Sequence, residues 1–144
     1  MRYVVLLGLL CLSWPLEARQ GQPWRAYYIG TIGSELEVQV ELEVNGTTVS
    51  GNYFYPKFGV PLTLTGTLSA TGKLLLEERD AAKKSTGKWQ GTFTEAYRQG
   101  TGTWTTPDSK KPLAFTLTKV AEYVRTETSQ GEKLSVVTSS PYFV

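Results

Sequence analysis

The stretch Glu35–Tyr55, ELEVQVELEVNGTTVSGNYFY, decides the fold. Leu36, Val38, Val40, Leu42 and Val44 alternate with Glu35, Glu37, Gln39, Glu41 and Glu43. That is the period-two pattern of a strand with one dry and one wet face. Asn45-Gly46 follows, a strong hairpin signal, because a type I′ turn needs positive φ at both central positions. With these two as the loop, the register sets Val44 opposite Thr47, Leu42 opposite Val49, Val40 opposite Gly51, Val38 opposite Tyr53 and Leu36 opposite Tyr55. Glu43, Glu41 and Gln39 then face Thr48, Ser50 and Asn52. Every apolar residue meets a partner on its own face, as a consistent register requires.

Working outward, further strands are expected at Trp24 to Ile32, at Leu62, Leu64, Gly66 and Leu68, and from Lys73 to Glu78. Trp89, Gly91 and Phe93 mark another, Gly102 and Trp104 the next, and Leu113, Phe115 and Leu117 the last. Pro56 to Gly59 and Ala70 to Gly72 read as turns. Leu74–Lys84 (LLLEERDAAKK) carries strong helix formers and an Asp80–Lys84 pair at helical spacing. Between two hairpin neighbours, the expectation is a strand through Glu78 and a charged loop beyond it. The total is about eight strands with short connections, an antiparallel all-β meander.

A small unit recurs along it: glycine, any residue, then a large apolar one, at Gly30–Ile32, Gly51–Tyr53, Gly66–Leu68, Gly91–Phe93 and Gly102–Trp104. Period two puts the glycine and the large residue on one face. Glycine in a strand marks bending or close backbone approach. A closed or strongly curled barrel is therefore expected, and closure also removes exposed edges.

The N-terminus reads as a targeting segment. Arg2 precedes an apolar run from Tyr3 to Leu12, Trp14 and Pro15 break it, and Ala18 supplies a small residue for cleavage. The run is far shorter than the roughly 20 residues of a transmembrane helix. Residues 1–18 are thus assigned as a signal peptide, residues 24–120 as the β domain and residues 121–144 as a C-terminal tail. The location is secreted or periplasmic. Cys11 would suit a lipoprotein only after a small residue, and Leu10 stands there, so it reads as one more apolar residue of the leader.

Composition removes several chemistries. Cys11 is the sole cysteine and the chain has no histidine. A chain processed after Ala18 can form no disulfide, and Ser–His or Cys–His catalysis is excluded, as are zinc or copper sites built on imidazole or thiolate. The formal charge of +2 is too small for a nucleic-acid binder. Thr71-Gly72-Lys73 and Thr86-Gly87-Lys88 lack the upstream glycine and following hydroxyl of a phosphate loop. No cofactor is expected.

The segments GNYFYPKFGVPLTLTGTL, STGKWQGTF and GTWTTPDSKKPLAFTLTKV resemble an uncharacterised β domain of exported bacterial proteins, over roughly Tyr27 to Val120. In style, their G-x-Y and G-T-W units are also similar to avidin-type eight-stranded barrels; no biotin-contacting residue can be placed by motif. The tail Lys133–Val144 (KLSVVTSSPYFV) resembles the opening strand of a second α/β domain that follows such a domain in some exported proteins. That resemblance implies either that the chain is shortened or that it has kept a remnant of such a domain.

Three candidate sites remain. The row Glu35, Glu37, Glu41 and Glu43 could attract a basic partner or calcium, but a solvated outer face accounts for it. Glu77, Glu78 and Asp80 could do acid–base work, yet Arg79, Lys83 and Lys84 beside them read as surface ion pairing. The aromatics Tyr53, Tyr55, Trp89, Phe93 and Trp104 either fill a barrel or line a pocket, since eight strands leave room for side chains or one small ligand. A filled core is the expectation; Tyr53, Tyr55, Trp89 and Trp104 are the ligand-contacting candidates. The function expected is a non-enzymatic binding or interaction module, with a protein, glycan or small apolar ligand as partner. A structural envelope domain and a carboxylate-based hydrolase are the alternatives.

Overall fold

The computed structural model describes residues 22–56, 59–108 and 110–139. The leader assigned to residues 1–18 lies outside them. Nine antiparallel strands follow in chain order: β1 Trp24–Ile32, β2 Leu36–Asn45, β3 Thr48–Phe54, β4 Pro61–Leu68, β5 Lys73–Arg79, β6 Ser85–Phe93, β7 Gln99–Thr105, β8 Leu113–Thr128 and β9 Gly131–Ser139. Each pairs with the next, and β1 also pairs with β8 from Trp24↔Val124 to Ile32↔Phe115. The first eight strands therefore close into a barrel. β8 runs without a break through the boundary read at position 120, and its extension pairs with β9 from Ala121↔Ser139 to Thr128↔Gly131. The part of the expected tail that is described thus continues the sheet of the barrel.

The decisive hairpin forms with a different register. Asn45 pairs with Thr48, Val44 with Val49, Leu42 with Gly51 and Val40 with Tyr53. The two loop residues are Gly46 and Thr47, and of these only Gly46 has positive φ, +61°. That is the requirement of a type II′ turn, with glycine at its first central position, rather than of type I′. Asn45 escapes a left-handed conformation and gains a ladder partner. A shift of two residues preserves side-chain parity, so the dry faces still meet.

Curling follows the glycines. A β-carbon on Gly30 would stand 1.8 Å from the Thr116 carbonyl oxygen, and one on Gly66 would stand 1.9 Å from that of Leu75. No other residue fits where strands approach so closely. The space enclosed is occupied by Tyr28, Tyr53, Trp89 and Phe115, the largest wholly buried side chains, with Ile32, Val38, Leu42, Leu64, Leu74 and Leu117. The helix-favouring stretch 74–84 splits as expected, into strand through Arg79 and a loop to Lys84. Burying Leu74 and Leu76 on one face outweighs its local propensity.

Successive hairpin loops alternate between the two barrel ends. The loops after β1, β3, β5 and β7 share one end; the turns after β2, β4 and β6 share the other. The second end is covered by a 3-10 turn, Glu95–Tyr97, between β6 and β7. Tyr97 stacks on Trp24 with ring centroids 5.2 Å apart. Tyr28 Oη donates to the Tyr97 carbonyl at 3.0 Å, and Lys119 Nζ donates to that of Ala96 at 2.7 Å. Lys119 also pairs with Glu122, both almost wholly buried. Ala96 and Tyr97 hold φ of +57° and +54°, a conformation that costs side-chain-bearing residues about 1–2 kcal/mol each. The interactions above hold them there.

Candidate functional site

The other end is built around Glu78. On β5, Leu74, Leu76 and Glu78 point inward while Leu75, Glu77 and Arg79 point outward. Glu78 is 2 % exposed. Its Oε2 accepts hydrogen bonds from Tyr53 Oη at 2.5 Å, Trp104 Nε1 at 2.8 Å and Trp89 Nε1 at 3.2 Å. Its Oε1 accepts from Thr86 Oγ1 at 2.7 Å. Gly87 stands opposite Glu78 on β6, and its bare Cα leaves room for the Trp104 indole to reach the carboxylate.

This corrects the surface reading of the Glu77–Asp80 cluster. Glu77 and Arg79 do form an exposed ion pair, at 3.1 Å. Asp80 Oδ1 accepts the Lys84 backbone N–H at 3.0 Å and shapes the loop. Glu78 instead belongs to the interior. The signal was present in the sequence: Glu78 continues the parity of Leu74 and Leu76, and the charges on either side of it obscured this.

The four ligand-contacting candidates come together here. Tyr53 and Trp89 are wholly buried and pack edge-to-face at 5.2 Å, while Tyr55 and Trp104 are half-buried and lie against the core. Tyr53 and Tyr55 join through their hydroxyls at 3.2 Å. Burial, and after it the hydrogen bond to Glu78, pushes the Tyr53 phenol well above its ordinary range; burial alone dominates the rise at Tyr55. Both remain neutral donors at physiological pH. Phe93 does not join them: it sits at the closed end, 5.2 Å from Tyr28 and 6.2 Å from Tyr97.

Around Glu78 and its donors runs an apolar rim. Leu36, Val60 and Leu113 are 38 %, 59 % and 36 % exposed, and half-buried Leu62 stands beside them. All lie in or next to the loops after β1, β3 and β7. Exposed Phe54 ends β3 at the same level. Leu36 continues the dry face of β2, and Leu62 and Leu113 share the parity of buried Leu64 and Phe115; strand ends that pass the barrel edge lose their cover.

The outer wall offers a second, polar feature. Arg25, Glu41, Glu43, Ser50, Asn52, Thr63 and Thr65 border an open depression of about 270 Å³ across β1–β4. Arg25 bridges Glu41 at 3.2 Å and Glu43 at 2.8 Å, so half of the glutamate row is engaged within the sheet. The Glu43 hydrogen bond leads the rise of the Arg25 pKa. Among the described residues, no group of three or more His, Cys, Asp or Glu is placed to hold a metal ion. No protein-family model matches the chain, and no curated protein matches it.

Proposed function

We propose that the chain is an exported, non-enzymatic binding module that meets its partner at the Glu78 end of the barrel. One observation carries this reading. Of the exposed large apolar residues among those described, Leu36, Phe54, Val60 and Leu113 belong to this one end, whereas Ile29 and Leu75 stand apart on the wall. Exposed apolar clusters rimmed by polar residues mark interaction sites. The opposite end is covered by its 3-10 turn. Glu78 reads as structural: it is buried, its Oε2 accepts from Tyr53, Trp89 and Trp104, and its Oε1 accepts from Thr86. The partner presents apolar surface, as a protein, glycan face or small molecule can.

A fluorescent apolar probe tests the reading. The folded protein should bind it saturably. Leu113→Ser with Val60→Ser should weaken binding at least tenfold, while Leu75→Ser on the wall should not. No saturable binding, or equal loss from Leu75→Ser, would favour a domain that only spaces or protects its surroundings.

A further inference from the structure

The same end carries a second property, its charge. The loop after β5 holds Lys83 and Lys84, and the loop after β7 holds Lys110 and Lys111; all four are exposed. None of the four is in an ion pair among the described residues. Of the acids at this end, Asp80 accepts the Lys84 backbone N–H, Asp108 accepts from Thr106 Oγ1 and the Lys110 backbone N–H, and Glu35 stands exposed in the loop after β1; the four lysines outnumber these three. The tight turns at the opposite end, Gly46-Thr47 and Ser69 to Gly72, carry no charge.

We infer that the open end docks peripherally on an anionic lipid surface, with Leu36, Val60 and Leu113 entering the headgroup region and the four lysines meeting lipid phosphates. The inference rests on the reading of this end as the binding surface and names its partner. The interior favours it over a deep ligand: Tyr53, Trp89 and Phe115 are wholly buried within the barrel. An occupant must therefore meet the rim from outside. The exposed apolar residues sit in or beside separate loops around the rim, a layout suited to a flat surface. Lysines near an anionic leaflet each strengthen binding roughly fivefold, and combining them with shallow apolar insertion gives the two signals that stable attachment needs.

Flotation of the purified exported protein with phosphatidylcholine vesicles, with and without phosphatidylglycerol, tests it. Binding should require phosphatidylglycerol and weaken with added salt. Lys83→Glu with Lys84→Glu should lower partitioning more than tenfold. Lys73→Glu with Lys88→Glu, the same charge change on the far end and the wall, should lower it much less. Val60→Ser with Leu113→Ser should release the protein while its thermal melt stays in place. Failure to float with anionic vesicles at low salt, or equal losses from the two lysine pairs, overturns lipid docking. If the apolar probe still binds at the rim in that case, the binding surface stands and only its lipid partner is wrong; if neither binds, both readings fall.

Discussion

Gly87 lies beneath the indole of Trp104: a β-carbon at Gly87 would come 2.5 Å from Trp104 Nε1 and 3.0 Å from Glu78 Oε2. The absence of one side chain on β6 thus allows a residue of β7 to donate to a carboxylate of β5. Gly87→Ala should displace the indole and remove that bond. A hydrogen bond to a charged group is worth about 1.5–3 kcal/mol; the unfolding free energy should fall by that much, and the denaturation midpoint with it. An unchanged midpoint in Gly87→Ala would show that the carboxylate does not depend on Trp104.

Alkaline stability follows from the buried phenols. Burial raises the Tyr28 and Tyr53 pKa values far above the ordinary value of 10.0. The folded state therefore keeps protons that the unfolded chain releases above pH 10. The stability these groups contribute is complete below that pH and is lost as pH rises through and beyond it. Each such tyrosine steepens the loss by about 1.4 kcal/mol per pH unit. Tyr28→Phe removes one of them and should flatten the slope by that amount. Denaturant titrations from about pH 9 to about pH 11.5 measure it; identical slopes would mean that Tyr28 ionises in place.

The turn at Gly46 gives a cleaner backbone test. Its φ is +61°, and a β-carbon there would meet nothing within 4 Å. Gly46→Val would thus act through conformation alone. A β-branched residue resists positive φ, so the loss should exceed the roughly 1 kcal/mol typical of glycine replacements. Thr48→Val, exposed in the paired strand, should be nearly silent. A Gly46→Val melt equal to wild type would contradict the turn.

Much of this fold was legible because side-chain parity is robust. Leu36 to Val44 and the glycine units report which face is dry, and the barrel follows. Parity is also why the hairpin register misled: Asn45-Gly46 and Gly46-Thr47 loops differ by a two-residue shift that leaves every face unchanged. The choice lay in whether the glycine falls first or second in the turn, a matter of local φ. Glu78 was legible by its place after Leu74 and Leu76, yet Glu77, Arg79 and Asp80 dominate any reading by charge. Nothing in Thr94–Gln99 announces the left-handed pair Ala96 and Tyr97. Lys119, Glu122, Tyr28 and Trp24 hold that turn from distant strands, and only tertiary structure brings them together.

The two tryptophans on Glu78 separate core from rim. Trp89 is 1 % exposed, and its ring lies 5.2 Å from Tyr53 and 4.9 Å from Phe115. Trp89→Ala should therefore cost about 3–5 kcal/mol, the range for large buried aromatics. Typical domains hold roughly 5–15 kcal/mol in total, so such a loss brings unfolding close to ambient temperature. Trp104 packs against the core from the half-exposed rim. Its truncation forfeits less burial, and its main loss is the 2.8 Å bond to Glu78. Trp104→Ala should thus be milder, near the 1.5–3 kcal/mol of a charge-assisted bond, and should leave a folded protein with a weakened rim. Thermal melts rank the two, and binding of the apolar probe by Trp104→Ala reports the rim. Equal and small losses in both variants would mean that Trp89 does not support the core.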